Sequence, residues 1–275
     1  MSAWLPTAPC TPRVCVETPA ALPARMLPRA LLRLTGVALL LLAGIALLPL
    51  GSRVPASLVR RWCRWIVRAA GVRVRITGTA APTGGVLLVA NHISWLDVPL
   101  LAAVRPARML AKTEVRRWPV AGPLAARGGV LFIDRDRLRA LPDTVARIAR
   151  ALREGTAVAA FPEGSTWCGR AQGTFRRAVF QAALDAGVPV QPVRIGYRLT
   201  GRGGRGGTAS TAPAFVGDDT LLASLWRVAT TRGLVAEVEV RDALPPGAHP
   251  DRRALARSAQ AQDPAPAWTH TVLVA

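Results

Sequence analysis

The 275-residue chain has one lysine, Lys112, and one tyrosine, and its sixteen acidic residues face thirty-six basic ones. The shortage of acid leaves a net charge of +20, which favours an anionic partner: nucleic acid, anionic lipid or a phosphorylated substrate. Aromatics make up only 5%, so the core must be built from Val, Leu, Ile and Ala. Four cysteines, Cys10, Cys15, Cys63 and Cys168, have no metal-ligand spacing, which argues against a disulfide scaffold or a zinc module. No Gly-x-Ser-x-Gly elbow is present. Helix-turn-helix, RRM and zinc-finger patterns are also missing. Charged residues are only 19% and hydrophobic ones 51%, which excludes a disordered chain.

Residues 1–24 are studded with proline and read as a disordered leader. Residues 25–70 read as a membrane segment followed by an interfacial helix. Leu34 to Leu50 carries no charge, and Pro49 and Gly51 end it. As a helix it spans roughly 25 Å, a little short of the ~30 Å hydrocarbon core. A spanning or re-entrant segment fits, and a buried core helix is the alternative. From Pro55 to Ala70, one face carries Leu58, Trp62, Trp65, Ile66 and Ala69, and the other Arg60, Arg61, Arg64 and Arg68. Trp opposite Arg suits a headgroup layer; an amphipathic helix on a protein core is the alternative, and the position directly after an apolar run favours the first. Arginines flank the apolar run on both sides, so charge gives no clear orientation. The rival nucleic-acid reading rests on Gly201 to Gly207, which has two arginines and no interleaved aromatic. A flexible loop explains it better.

Residues 71–246 alternate short β-rich runs with amphipathic ones. Val72–Thr77, Val86–Ala90, Arg108–Ala111, Val130–Ile133, Ala157–Phe161, Val190–Ile195 and Val235–Val240 read as strands. Leu138, Leu141, Val145, Ile148 and Leu152 form a helical stripe, and Phe175 to Ala186 repeats the scheme. The expectation is an α/β domain with a central, mostly parallel or mixed sheet flanked by helices, preceded by N-terminal membrane-associated helices. Residues 247–275 read as a polar, loosely ordered tail.

His249 and His270 lie in that tail, so His92 alone is inside the predicted core, at the end of the strand Val86–Ala90. Ser94 and Asp97 have the spacing of a capping box, which predicts a helix starting near Trp95. Asp97 can then reach back to the imidazole, fix its tautomer and leave the other nitrogen as a base. Cys168 follows a turn with no base near it in sequence. A His–Asp pair without a protein nucleophile suits general-base activation of a substrate hydroxyl. Three further stations follow: Gly128 to Arg135, Phe161 to Thr166, and Val188 to Val193. The prolines of the last disfavour a regular central strand there. Ligand sites in open α/β sheets gather at the carboxyl ends of strands, where three of the four stations lie.

Asn91-His92 with Asp97, Phe132-Ile133-Asp134-Arg135, Phe161-Pro162-Glu163-Gly164-Ser165 and Val188–Val193 resemble, in order, the four motifs of 1-acyl-sn-glycerol-3-phosphate acyltransferases and related glycerolipid acyltransferases. The resemblance covers roughly Val72 to Val240. It implies that His92 takes a proton from the acceptor hydroxyl and that Asp97 orients it. The alkoxide then attacks the thioester of acyl-CoA or acyl carrier protein, with neither a metal nor a cofactor. It further implies that Arg135 and Glu163, with Gly164 and Ser165, bind the acceptor, Glu163 by positioning Arg135 or a substrate hydroxyl. Lys112 is a candidate compact charge near the oxyanion or phosphate. Ser165 stands where Thr is commoner, and Trp167-Cys168-Gly169 replaces a polar, Arg-bearing continuation. The implied acceptor is 1-acyl-glycerol-3-phosphate, giving phosphatidic acid, with another lyso-lipid such as lyso-ornithine lipid as the alternative. The implied setting is the cytoplasmic face of the cell membrane, with anionic membrane lipid as a partner and no specific nucleic acid.

Overall fold

The computed structural model describes residues 8–17, 26–117, 122, 125, 127–134, 137–201 and 207–262. The strands are β1 (Arg73–Thr77), β2 (Val86–Ala90), β3 (Arg108–Lys112), β4 (Leu131–Ile133), β5 (Ala157–Ala160), β6 (Val190–Leu199), β7 (Thr208–Ala209) and β8 (Leu234–Val240). They form a sheet in the order β1-β8-β6-β2-β5-β3-β4, with β7 hydrogen-bonded to β6. From β6 through β2, β5 and β3 to β4 every pair is parallel. β8 runs antiparallel to β6, and β1 is parallel to β8. The sheet is therefore mixed and mostly parallel.

The helices are α1 (Pro12–Cys15), α2 (Leu27–Leu47), α3 (Ala56–Ala69), α4 (Asp97–Val104), α5 (Leu141–Arg153), α6 (Ala178–Ala186), α7 (Leu221–Thr230) and α8 (Arg252–Ala261). β2 is buried along its whole length because both faces of the sheet are covered. Val86, Leu88 and Ala90 join one core with Val67 of α3, Leu100 and Leu101 of α4, and Val228 of α7. Leu87 and Val89 join the other with Ile148 and Leu152 of α5, Phe180 of α6, and Leu255 of α8. Alternation along an extended strand thus supplies both cores from one apolar run.

Four expectations need correction. Residues 8–17 of the supposed leader are packed: Cys10 and Val16 are buried, and Glu17 accepts from Ser210 Oγ at 2.8 Å. Within the supposed loose tail, Arg252–Ala261 forms α8, capped by Asp251 and burying Leu255, Ala256 and Ala259, while residues 263–275 lie outside the described residues; small residues at that spacing make a narrow face that fits α6. Pro192 lies inside central β6. The ladder to β8 begins only at Val193, so Pro192 needs no donor on that side, and its carbonyl accepts from Arg241 N at 3.0 Å. The second predicted helix also starts later, at Ala178, because Phe175 N is drawn to Gln260 Oε1 at 3.0 Å.

α2, together with the turn that follows it, gives one apolar helical stretch, Leu27–Gly51, long enough to cross a membrane by length and composition, and little of it is buried. It packs on α3 and α7. Trp62 Nε1 donates to Leu40 O at 3.0 Å, and Arg33 donates to Ala229 O at 2.7 Å and Thr231 O at 3.1 Å, at the end of α7. α3 combines both readings: it buries Cys63, Ile66 and Val67 against the domain, while Trp65 and Leu58 stay exposed. Exposed Leu32, Leu39 and Leu42 of α2, Trp65 of α3, and Leu222 and Trp226 of α7 leave apolar surface around this helical group.

Candidate active site

The C-terminal ends of parallel strands β2, β5, β3 and β4 share one edge of the sheet. His92 leaves β2 in the turn before α4. Asn91 holds that turn to β6, donating to Ile195 O at 2.9 Å and accepting from Ile195 N at 2.8 Å. The helix begins at Asp97 rather than near Trp95. The capping spacing is still used: Ser94 N donates to Asp97 Oδ2 at 2.8 Å, and Ser94 Oγ accepts from Leu96 N at 3.3 Å.

Asp97 is fully buried. Its Oδ2 accepts from Ile93 N at 2.6 Å as well as from Ser94 N, and lies 2.9 Å from His92 Nδ1. Its Oδ1 accepts from the Tyr197 hydroxyl at 2.6 Å. Two backbone N–H groups, a phenol and an imidazole N–H make the donor set of a carboxylate. Burial, then the neighbouring Asp97 charge and hydrogen bond, push the Tyr197 phenol well above its ordinary value, so it remains a donor. A neutral His92 bound this way carries its proton on Nδ1 and presents Nε2 as a base. Phe161, just past the end of β5, stacks on the ring at 3.9 Å with planes 10° apart, and the side chain keeps 21% exposure. A substrate proton can therefore reach a nitrogen whose orientation is fixed from two sides.

Glu163 is buried. Its Oε2 accepts from His92 N at 2.7 Å and its Oε1 from Gly173 N at 2.9 Å. These bonds tie the histidine turn to the loop after β5. Gly164 supplies the left-handed φ of +80° that this turn requires. Ser165 is half-buried, and its Oγ has no hydrogen-bond partner among the described residues. Lys112 ends β3 on the same edge, exposed and two strands from β2, about 10 Å away. Arg135 lies outside the described residues, as do residues 202–206 of the glycine-arginine stretch. The Asp134 that precedes Arg135 lies just past β4, on the same edge.

Sequence reasoning missed Tyr197, Phe161 and the bonding of Glu163. The signal for Tyr197 was its being the sole tyrosine, on an apolar strand. Spacing also gave no sign that the sulfurs of Cys10, Cys15 and Cys168 lie within 4.8 Å of one another.

The acyltransferase family model matches residues 71–196, a span that begins just before β1 and holds His92, Asp97 and Glu163. A lyso-ornithine lipid O-acyltransferase of Pseudomonas aeruginosa is 39% identical over 239 residues, 83% of this chain and 88% of that protein. The chain belongs to the PlsC-like acyltransferase family. A 1-acyl-sn-glycerol-3-phosphate acyltransferase of Neisseria gonorrhoeae is 34% identical over 164 residues, 59% of this chain and 62% of that protein. The crystal structure of the PlsC acyltransferase of Thermotoga maritima matches with a TM-score of 0.61 over 86% of this chain and 93% of that one, at 17% identity. That likeness establishes a PlsC-like fold. As a member of this family the chain is an O-acyltransferase of lyso-lipids, acting in membrane-lipid metabolism.

Proposed function

We propose that the enzyme moves a fatty acyl group from acyl-CoA or acyl carrier protein to the hydroxyl of a lyso-ornithine lipid. The observation that carries the acceptor is the 39% identity across 88% of an enzyme of that name, which extends well beyond the matched family region. Trp167-Cys168-Gly169 departs from the polar, Arg-bearing continuation of the glycerol-phosphate motif that the sequence resembles, which leaves room for another acceptor. The second reading is 1-acyl-glycerol-3-phosphate, favoured by the four motifs, by the Neisseria relative and by the +20 charge.

In either case His92 Nε2 takes the acceptor proton as the oxygen attacks the thioester carbon. A C–O bond forms, and the C–S bond breaks as the intermediate collapses. The leaving thiolate takes the proton back from the imidazolium. Asp97 stabilises that imidazolium, and Glu163 holds the backbone beneath it.

With purified protein in detergent, kcat/KM on lyso-ornithine lipid should exceed that on 1-acyl-glycerol-3-phosphate by at least about tenfold, a difference of 1.4 kcal/mol in transition-state binding. Thiol release from each donor on each acceptor measures it. The reverse preference would return the enzyme to phosphatidic-acid synthesis.

Attachment to the membrane is proposed through α2, with the arginines of α3 adding attraction to anionic headgroups, about 1 kcal/mol each near the surface. Arg61, Arg64 and Arg68 are exposed for this. A triple variant with Leu32, Leu39 and Leu42 changed to Gln should lose salt-resistant flotation with anionic vesicles, since each buried leucine contributes about 1.5–3 kcal/mol. It should keep salt-sensitive binding, because salt screens only the charge component. Flotation at high salt equal to the unaltered chain would mean that α2 is not the anchor.

A further inference from the structure

We propose that Cys10, Cys15 and Cys168 form a binding site for a thiophilic metal ion of the zinc class, which fastens the N-terminal segment to the loop behind the histidine turn. Three of the chain's four cysteines meet there, two from the segment around α1 and one from the loop after β5. Their mutual separations, all within 4.8 Å, need little closure. Three thiolates about 2.3 Å from a tetrahedral zinc sit about 3.8 Å apart. A disulfide would use two of these sulfurs and strand the third, whereas a metal ion uses all three.

Gly169, with φ +84°, makes the turn immediately after Cys168. Cys10 and Cys168 are buried, while Cys15 is half-exposed, so the cluster meets solvent on the Cys15 side. Neighbouring bonds already hold the segment in place: Arg170 lies 3.6 Å from Glu17, and Glu17 N donates to Thr211 Oγ1 at 3.0 Å.

The site bears on the chemistry through position. Trp167, next to Cys168, donates its backbone N–H to His92 O at 2.8 Å, and the backbone N–H of Gly173 on the same loop donates to Glu163 Oε1. A metal at Cys168 would therefore brace the loop that holds the histidine backbone. The inference does not depend on which lyso-lipid is the acceptor.

The test uses the full chain, purified in detergent without chelator, and zinc alone as the probe. Elemental analysis is expected to find about one zinc per chain. Cobalt exchange should give thiolate-to-cobalt charge-transfer absorption. Cys15→Ser should weaken zinc binding by more than about 100-fold, since even outer-shell changes cost about 10–100-fold. Its half-exposed position makes this the variant most able to fold. Cys168→Ser should behave alike, and Cys63→Ser should keep the zinc. Chelation should lower the melting temperature of the unaltered chain and leave that of Cys15→Ser unmoved. The proposal fails if zinc is substoichiometric after titration, or if Cys15→Ser and Cys168→Ser retain it. A mass two hydrogens short of the fully reduced chain, revealing a disulfide among these residues, would also overturn it.

Discussion

His92→Ala is expected to lower kcat by roughly 10²–10⁴-fold, the contribution of a positioned general base. Nothing in the described surroundings can replace it. Asp97 is fully buried and spends both oxygens on four donors. Tyr197 is buried and pushed away from ionisation. The variant should still fold, because the turn is held by backbone bonds to Glu163 and by Asn91, not by the imidazole. Thiol release from acyl-CoA, measured beside a thermal melt, separates the two effects. Near-normal turnover with an unchanged melt would remove His92 from the mechanism.

Asp97→Asn should cost nearly as much, roughly 10²–10⁴-fold in kcat/KM, for a reason the sequence did not reveal. From spacing alone, the expected fault of an amide is that it holds the wrong tautomer. The hydrogen bonds point elsewhere. With its oxygen toward Ile93 N, Ser94 N and His92, the amide nitrogen faces the Tyr197 hydroxyl, which can rotate and accept. Tautomer and geometry can survive, and what is lost is the negative charge that steadies the imidazolium. Asp97→Ala should be worse for the fold, leaving two buried N–H groups without an acceptor at about 1–3 kcal/mol each. A pair of melts and rate measurements on the two variants distinguishes charge from scaffolding. Full activity in Asp97→Asn would show that the carboxylate is only structural.

The legible parts of this molecule are those decided by neighbours in sequence. A five-residue apolar run bounded by turn residues gave β2, and the alternation of such runs with helical stripes gave the α/β class. His92 and Asp97 were legible because only four residues separate them and a helix starts at the second. Pro192 misled because a proline rule speaks of a strand's missing donor, not of which side of the strand is already unpaired. Tyr197 lies a hundred residues from the carboxylate it serves, and no local period reports such a meeting. The three cysteines escaped for the same reason: metal-ligand spacings describe compact modules, whereas here the chain returns from a distant loop. Residues 8–17 and α8 looked loose because their composition is poor in large apolar side chains. Both are held instead by small buried residues and by specific polar bonds.

The clamping of α2 by Arg33 and Trp62 has a consequence for regiochemistry. If α2 lies in the bilayer as proposed, it cannot swing independently of the sheet edge that carries His92, so the base is held at a fixed height relative to the lipid. A helix of 21 residues measures about 32 Å, and its clamps make it a ruler. An acceptor then competes by the depth at which its hydroxyl naturally rests as well as by headgroup chemistry. The hydroxyl of a lyso-ornithine lipid belongs to its amide-linked chain, whereas the free hydroxyl of 1-acyl-glycerol-3-phosphate belongs to the headgroup-bearing glycerol. Two enzymes with the same catalytic residues could thus part in specificity through a shift of one helical turn in how the anchor meets the domain.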